Sequence, residues 1–199
     1  DKYQCIASAP DFTVIFHSVK HTIDTKDHKP ISMKARPLSS AKLEIAKKEF
    51  YALEKLGIIR RSNSPWASPL HMVPKANGEW RPCGVYRALN NITTPNKYPV
   101  PNLYSFTAKL EGKIIFSKLD LIKAYHQIMI AEEDIPKTAI ITPFGLWEYL
   151  RMPFGLRNSG SVFQYFIDSI ISDMTFVFAF VDDLIVGKTS KEEHDEHLI

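Results

Sequence analysis

The sequence predicts an α+β fold with a largely antiparallel sheet. Two stretches, 41–56 and the segment that begins at 158 or 159, place apolar residues at helical spacing. Several short runs of β-branched and aromatic residues are separated by brief turns, as in the hairpin predicted over 138–150. Hairpins and helices therefore follow one another in mixed order, which is typical of α+β proteins.

The helical stretches carry signals for where they start and stop. Ser39 or Ser40 can cap the first helix, and Gly57 can end it. A shorter helix is predicted between Asn102 and Gly112. The two longer helices have apolar faces formed by Leu43, Ala46, Phe50, Leu53 and Leu56, and by Val162, Phe163, Phe166, Ile167 and Ile170.

A hairpin is also predicted in the first half of the chain. The runs 70–74 and 80–85 favour strands, and the Asn-Gly pair between them is a hairpin signal. This hairpin would present Lys75 and Arg81 near its tip. The preceding segment, 60–69, is rich in Ser, Asn and Pro, which predicts a loop.

The stretch 174–187 is the centre of the functional hypothesis. Two apolar runs flank the adjacent acids Asp182 and Asp183, which predicts a tight hairpin with both carboxylates at its tip. Two neighbouring anions among apolar strands repel one another and lose hydration, and a bound cation would relieve both costs. A plain Asp-Asp turn is the alternative that this stretch alone leaves open.

A second acid can complete such a site. The predicted strand 114–120 ends at Asp120, which on its own could equally be a solvated carboxylate. Nucleotidyl transfer needs two divalent ions bridged by carboxylates, one to lower the pKa of the attacking hydroxyl and one to hold the triphosphate. Asp and Glu supply the oxygen ligands that such hard ions prefer.

Composition and charge set limits on the class of protein. The 199 residues carry a net charge of +3, but 34–87 holds eleven Lys and Arg against four Glu, whereas 88–199 is acidic. This asymmetry favours a chain that binds polyanions through its basic part and cations through its acidic part. Solvated helix faces of mixed charge would give the same distribution. Cys5 and Cys83 suggest neither a disulfide scaffold nor a zinc site, and no apolar run approaches membrane length.

Seven short motifs, in order, point to a known family. They are SPWASPLH at 64–71, WRPCGVYRALN at 80–90, FSKLDL at 116–121, AYHQI at 124–128, KTA at 137–139, MPFGLRN at 152–158 and FVDDL at 180–184. Together they resemble a reverse transcriptase from the polyprotein of gypsy-type long-terminal-repeat retrotransposons. The similarity extends from about His21 to Leu198, so the resemblance covers nearly the whole chain.

The resemblance implies a right-hand polymerase fold limited to fingers and palm. The implied segments are an N-terminal extension (1–33), fingers (34–116 and 131–157) and palm (117–130 and 158–199), with the thumb absent and the palm ending before the primer grip. The implied activity is RNA-directed DNA polymerase. In that reaction two Mg²⁺ ions, for which Mn²⁺ can substitute, assist attack of a primer 3′-hydroxyl on a deoxynucleoside triphosphate.

The resemblance also implies roles for individual residues. The catalytic and metal-binding triad is Asp120, Asp182 and Asp183. The implied nucleotide-binding residues are Lys75, Arg81, Tyr125, Phe154 and Gly155, and the implied template-primer residues are Arg157, Gln164 and Phe180. The ring of Tyr125 would exclude a 2′-hydroxyl and so select deoxynucleotides, although without the family core packing is the better interpretation of this residue.

Three residues depart from the family pattern. Phe180 stands where a Tyr is frequent and keeps the packing against the primer end, whereas Val85 in place of an acid and Tyr165 in place of an Arg suggest a copy that has drifted. The alternative is therefore a catalytically dead remnant that still binds nucleic acid, and a DNA-templated polymerase is a further option. A metal site made by His194 and His197 is a weaker alternative because no third ligand is evident.

The implied partners are an RNA or DNA template with its primer, and deoxynucleoside triphosphates. The thumb, connection and RNase H of the polyprotein are expected to follow at the C-terminal end. No membrane partner is expected. The expected location is intracellular, in the cytoplasm or within virus-like particles.

Overall fold

The structure is a computed structural model that describes residues 17–76, 78–100, 107–108, 110–180 and 183–197, with Phe180, Glu196 and His197 described by their backbone only. The chain forms two compact units. The first unit runs to Thr94 and resumes over Tyr125–Leu156, and the second comprises Pro95–Ala124 and the chain from Arg157. Mixed helices and largely antiparallel strands confirm the predicted α+β class.

The described residues of the first unit form a five-stranded sheet and a strand pair. Its helices and strands are β1 (Lys20–His21), α1 (Ser40–Lys55), β2 (Ile59–Arg61), β3 (Ser68–Pro74), β4 (Trp80–Gly84), α2 (Arg87–Ile92), β6 (Met129–Ile130), β7 (Ile140–Thr142) and β8 (Gly145–Tyr149). The sheet has the order β2-β8-β7-β3-β4, in which only the β3–β7 pairing is parallel. Short 3₁₀ helices over Ala124–Gln127 and Glu132–Thr138 flank β6, which pairs in parallel with β1.

Helix α1 supplies part of the core of this unit. Ala46, Phe50 and Leu53 are buried, whereas Leu56 at the end of the predicted face remains exposed. The ring of Phe50 meets the fully buried ring of Trp147 on β8, with 5.6 Å between centroids. The predicted helix is therefore confirmed, with its apolar face buried only in the middle.

The predicted loop over 60–69 is wrong at both ends. Ile59–Arg61 forms β2, and β3 already begins at Ser68. β2 lies at the sheet edge with both arginines exposed, so it lacks the apolar alternation by which strands are predicted. Ser68 and Pro69 pair with β7, a contact that no local pattern indicates.

The second unit contains a three-stranded antiparallel sheet among its described residues. Its elements are β5 (Ile115–Asp120), α3 (Ser159–Ile171), β9 (Val177–Phe180), β10 (Asp183–Lys188) and α4 (Lys191–His197), and the strand order is β5-β10-β9. The predicted strand ending at Asp120 and the hairpin strands around the acid pair are confirmed. Most of the short helix predicted from Asn102, together with Val181 and Asp182 at the hairpin tip, lies outside the described residues.

Helix α3 has the predicted amphipathic pattern. Val162, Phe163, Phe166 and Ile167 are buried, and only Ile170 at the end of the stripe is exposed. In the part of the chain that the structure describes, no helix is both long and apolar enough to span a membrane.

Candidate active site

The end of β5 and the start of β10 bring two carboxylates together. Asp183 lies directly opposite Asp120 in the antiparallel register. Directly opposed residues project from the same face of a sheet, and so do residues two apart on one strand. Lys118 therefore shares this face, and its Nζ lies 3.0 Å from Asp183 Oδ1. The predicted partner Asp182 lies outside the described residues.

The charges on this face compensate one another in part. The Asp183 carboxylate raises the pKa of the Lys118 ammonium, first through their hydrogen bond and then through its charge, and the charge of Asp120 adds to the effect. Both members of the ion pair are accessible, with 58% of the Lys118 side chain and 38% of the Asp183 side chain exposed. Two anions thus face one cation on a surface that a solute can reach.

The donor set of this face fits a hard divalent cation. Mg²⁺ and Mn²⁺ prefer carboxylate oxygens and keep several water ligands, so an open site with two carboxylates suits them. Among the described residues no group of three potential metal ligands is found. Asp120 and Asp183 are two such ligands, and the chain places a third carboxylate, Asp182, next to Asp183 in sequence.

The opposite face of β5 contacts helix α4. Ser117 Oγ and the Nε2 atom of the buried His194 on α4 are 2.8 Å apart, within hydrogen-bond distance. His194 thus fastens α4 to β5, which is a structural use of the residue considered above as a metal ligand. The side chain of His197 lies outside the described residues.

A second cluster lies in the first unit, where three of the proposed nucleotide-binding residues meet. The ring centroids of Tyr125 and Phe154 are 4.8 Å apart, and the guanidinium carbon of Arg81 lies 5.6 Å from the Phe154 centroid. Tyr125 is 8% exposed, whereas Phe154 is 42% exposed. Phe154 therefore presents an accessible aromatic ring that contacts both an arginine and a buried tyrosine.

The turn after Phe154 depends on glycine. Gly155 has a φ of +92°, in the region that favours glycine, and Asn90 Nδ2 donates a 2.8 Å hydrogen bond to its carbonyl oxygen. A Cβ at Gly155 would lie 3.6 Å from the Gly84 carbonyl oxygen, so β4 closely borders this turn. The backbone beside Phe154 is therefore held from two sides.

Lys75 lies at the turn of the β3–β4 hairpin, near Arg81. Its Nζ forms an exposed 3.0 Å ion pair with Glu79. The pairing of Val73 with Arg81 and the alternation of side chains place Lys75 and Arg81 on the same face of the hairpin. The predicted hairpin with two basic residues on it is thus confirmed, with Asn77 at its turn outside the described residues.

The proposed template-primer residues differ in their surroundings. Gln164 is only 2% exposed, and its Nε2 donates a 2.8 Å hydrogen bond to Asp168 Oδ1. The hydroxyl of Tyr98 donates to the other oxygen of Asp168 at 2.7 Å, and this bond raises the pKa of Tyr98 to about 12. Arg157 is exposed, and the side chain of Phe180 is not among those described.

Comparison with known proteins identifies the family. Residues 73–199 match the family model described as reverse transcriptase (RNA-dependent DNA polymerase). The chain belongs to the reverse transcriptase family. Its similarity to transposon polyproteins confirms the predicted resemblance to gypsy-type retrotransposons.

Relatives of this reverse transcriptase domain are transposon polyproteins. It is 39% identical over 185 residues to the retrovirus-related Pol polyprotein from transposon 297 of Drosophila melanogaster, which covers 89% of this chain and 18% of the relative. It is 36% identical over 176 residues to the transposon Tf2-3 polyprotein of Schizosaccharomyces pombe, covering 87% of this chain and 13% of that protein. The chain therefore spans less than a fifth of the length of either polyprotein.

Solved structures of similar fold come from a foamy virus. A crystal structure of a prototype foamy virus protease-reverse transcriptase mutant gives a TM-score of 0.82 at 24% identity, over 90% of this chain and 24% of that chain. The foamy viral protease-reverse transcriptase in complex with an RNA/DNA hybrid gives 0.79 at 20% identity, with the same coverage. The likeness confirms the predicted fingers-and-palm polymerase fold.

Lys118 was missed by the sequence analysis. Its spacing from Asp120 places it on the face of the acid pair, and this signal was available in the sequence. A lysine on a strand is usually a solvated residue, so only the ion pair with Asp183 marks it as part of the site.

Proposed function

We propose that this reverse transcriptase domain catalyses RNA-directed DNA synthesis on a primed template. The observation that carries the proposal is the direct opposition of Asp120 and Asp183 at adjoining strand ends. Membership of the family and similarity to retrotransposon polyproteins support the reaction class. The assignment of 34–116 and 131–157 to fingers, and of 117–130 and 158–199 to palm, is part of the proposal.

In this proposal the acid triad holds the catalytic ions. Asp120, Asp182 and Asp183 would ligate two Mg²⁺ ions, or Mn²⁺ in their place. Bound there, the ions would lower the pKa of the primer 3′-hydroxyl and neutralise the triphosphate and the departing pyrophosphate. The protein's contribution is to fix the carboxylates at two paired strand ends, whose register leaves Asp120 and Asp183 little freedom to separate.

The nucleotide would be held by the residues around Phe154. Arg81, assisted by Lys75, would neutralise the triphosphate. Tyr125 would lie beneath the sugar and exclude a 2′-hydroxyl. Its contact with Phe154 and its burial support this role, because a ring that cannot rotate away rejects the extra hydroxyl more strongly. The turn at Gly155 would border the nucleotide and template.

The template-primer would contact Arg157 directly. Gln164 is buried and hydrogen-bonded to Asp168, so it would support this surface without direct contact to nucleic acid, and Phe180 would pack near the primer end. The template, its primer and deoxynucleoside triphosphates are the proposed ligands. The thumb, connection and RNase H of a longer polyprotein are the proposed covalent partners, and the cytoplasm or virus-like particles the proposed location.

A primer-extension assay with Mg²⁺ tests the proposal. Replacing Asp120, Asp182 or Asp183 by Asn should lower incorporation by about 100-fold or more, because each change removes a proposed charged ligand of the ions. Asp173→Asn, a change of equal charge in the exposed turn after α3, should leave the rate within about twofold of the unmodified protein. Equal losses in all four variants would contradict the proposal.

The same assay distinguishes the remaining options. A longer polyprotein fragment that continues beyond this chain should be assayed beside it, with RNA and DNA templates. Val85 stands where the family pattern has an acid that would pair with Arg87, an exposed residue at the start of α2. The loss of this acid favours the alternative, an inactive remnant that binds nucleic acid. Template binding without incorporation in both proteins would support the remnant, whereas incorporation only on DNA would indicate a DNA-templated polymerase.

A further inference from the structure

Lys118 occupies the position of a third charge beside the acid pair. It is two residues before Asp120 on β5, and its Nζ lies 3.0 Å from Asp183 Oδ1. We propose that the Lys118 ammonium group competes with the divalent metal ion for Asp183, so that the ion binds more weakly while the ammonium group remains on that carboxylate. This inference rests on the proposed function, because it assumes that Asp183 binds the catalytic ion.

The first step of the argument is electrostatic. Like charges at directly opposed positions of two strands destabilise the pairing, and Asp120 and Asp183 occupy such positions. Lys118 is the cation paired with this acid pair among the described residues. In the metal-free protein it therefore reduces the repulsion that the two carboxylates would otherwise exert on each other.

The second step concerns the carboxylate itself. The Lys118 ammonium group forms an ion pair with Oδ1 of Asp183. A metal ion that binds the same oxygen weakens this ion pair, and the ion pair in turn weakens metal binding. A divalent ion held between Asp120 and Asp183 would also be repelled by an ammonium group left a few ångströms away. Metal binding must therefore either displace Lys118 or overcome its charge.

The third step is that displacement is feasible. The Lys118 side chain is 58% exposed, and exposed ion pairs are weak because water and salt screen them. Its long flexible stem lets the ammonium group move into solvent without any change in β5. Lys118 should thus lower the affinity for the metal without preventing binding.

Manganese binding to the 199-residue chain tests the inference. Free Mn²⁺ can be measured by electron paramagnetic resonance at low ionic strength, with no nucleotide or template present. Lys118→Gln should bind Mn²⁺ about three- to tenfold more tightly than the unmodified chain, the effect expected of one charge near a divalent ion at a partly exposed site. Lys118→Arg keeps the charge and should bind within about twofold of the unmodified chain.

A matched lysine on the same strand pair provides the control. Lys188 lies at the far end of β10, where its Nζ lies 4.6 Å from the ring centroid of Phe176. Lys188→Gln makes the same change in charge away from the acids, and its Mn²⁺ affinity should stay within about twofold because the Debye length is about 10 Å at 0.1 M salt. Circular dichroism checks that each variant is folded.

The outcomes separate the inference from the proposed function. Asp183→Asn should remove the strongest Mn²⁺ site, and if it does not, both the metal site and the role of Lys118 are wrong. If Asp183 is needed for binding but Lys118→Gln and Lys188→Gln behave alike, the role of Lys118 is wrong and the metal site stands. Weaker binding by Lys118→Gln would likewise overturn the inference.

Thermal unfolding gives a second readout. In a metal-free buffer Lys118→Gln should unfold at a lower temperature than Lys188→Gln, and saturating Mn²⁺ should raise its midpoint by more than that of the unmodified chain. Equal shifts in the three proteins would contradict a competition between Lys118 and the metal.

Discussion

The hydroxyl of Tyr98 donates a 2.7 Å hydrogen bond to the Asp168 carboxylate, whose other oxygen accepts a bond from Gln164. Asp168 thereby joins the segment after Pro95 to helix α3. Tyr98→Phe should lower the free energy of unfolding by about 1 kcal/mol, because it removes one hydrogen bond and leaves the ring in place. Urea unfolding at pH 8 measures the change.

High pH gives a sharper form of this prediction. Because the hydrogen bond to Asp168 raises the pKa of Tyr98 from 10.0 to about 12, the bond stabilises the fold below pH 10, and this stabilisation is lost as the pH rises to about 12. The difference between the unmodified chain and Tyr98→Phe should therefore shrink over that range. Tyr165→Phe, which alters an exposed ring that meets Tyr98 edge-on, should show no such dependence.

His21 should make the first unit sensitive to acid. Burial lowers its pKa from 6.5 to about 4, although the charge of Asp134 opposes the shift. Below pH 6.5 the unfolded chain binds a proton that the folded chain takes up only near pH 4, so the free energy of unfolding should fall over this interval, by up to about 3 kcal/mol. His21→Gln should flatten the dependence measured by urea unfolding between pH 7 and 4.

The exposed His71 on β3 provides the matched control for this experiment. His71→Gln should leave the slope between pH 6.5 and 4 as it is in the unmodified chain. A slope that survives in His21→Gln would show that carboxylates, and not this imidazole, cause the acid sensitivity.

Trp147 should contribute far more to stability than Trp80, although a basic side chain covers each ring. Trp147 is fully buried among Phe50, Tyr51 and Phe144, with the Arg61 guanidinium 3.7 Å from its ring centroid. Trp147→Ala should cost about 3–5 kcal/mol through the cavity that it leaves. Unfolding in urea, followed by far-ultraviolet circular dichroism, measures the loss.

Trp80→Ala is the comparison. Trp80 is only partly buried, with the Lys42 ammonium 3.7 Å from its ring centroid, and its removal should cost about 1 kcal/mol. Equal costs for the two substitutions would mean that the packing around Trp147 is looser than its burial indicates.

Two glycines should respond to alanine in opposite directions. A Cβ at Gly84 would lie 2.6 Å from Ile140 Cδ1 and 2.8 Å from the Tyr86 ring, which is held by a hydrogen bond from its hydroxyl to the Thr138 carbonyl oxygen. Gly84→Ala should therefore cost about 1–3 kcal/mol. Thermal unfolding at neutral pH measures the effect.

Gly160 is the counterpart, since a Cβ there meets no atom within 4 Å and the residue lies inside α3. Gly160→Ala should stabilise the chain by about 0.5 kcal/mol, because alanine restricts the unfolded backbone and favours the helix. A destabilised Gly160→Ala protein would contradict the open space described beside this residue.

Local sequence patterns predicted the elements that have a buried face and an exposed face. The stripe from Val162 to Ile167 is an example, because burial on one side of a helix gives the sequence a matching period. The sequence of β2 shows no alternation of apolar and polar residues, because Arg60 and Arg61 are both exposed at a sheet edge. Its pairing with β8 depends on residues far away in the chain.

In the candidate site, too, local features could be predicted from the sequence and contacts between distant residues could not. The sequence pattern predicted Asp120 at a strand end and the acid pair at a hairpin tip, but the grouping of Arg81, Tyr125 and Phe154 came only from family resemblance. Those three residues come from separate segments, and nothing in the local pattern of any of them specifies the others. The bond between Gln164 and Asp168 lies at helical spacing, yet its continuation to Tyr98 is again a long-range contact.

The register between β5 and β10 has a consequence for biosynthesis. Among the described strands, β5 pairs with β10 alone. The segment Tyr125–Leu156 of the first unit lies between these two strands in the sequence and is translated before β10. During translation, β5 therefore remains unpaired until the nascent chain has emerged from the ribosome as far as Lys188, the last residue of β10. The acid pair of Asp120 and Asp183 can therefore form only after β10 has been synthesised, and a premature stop anywhere before β10 would leave β5 as an unpaired strand without that pair.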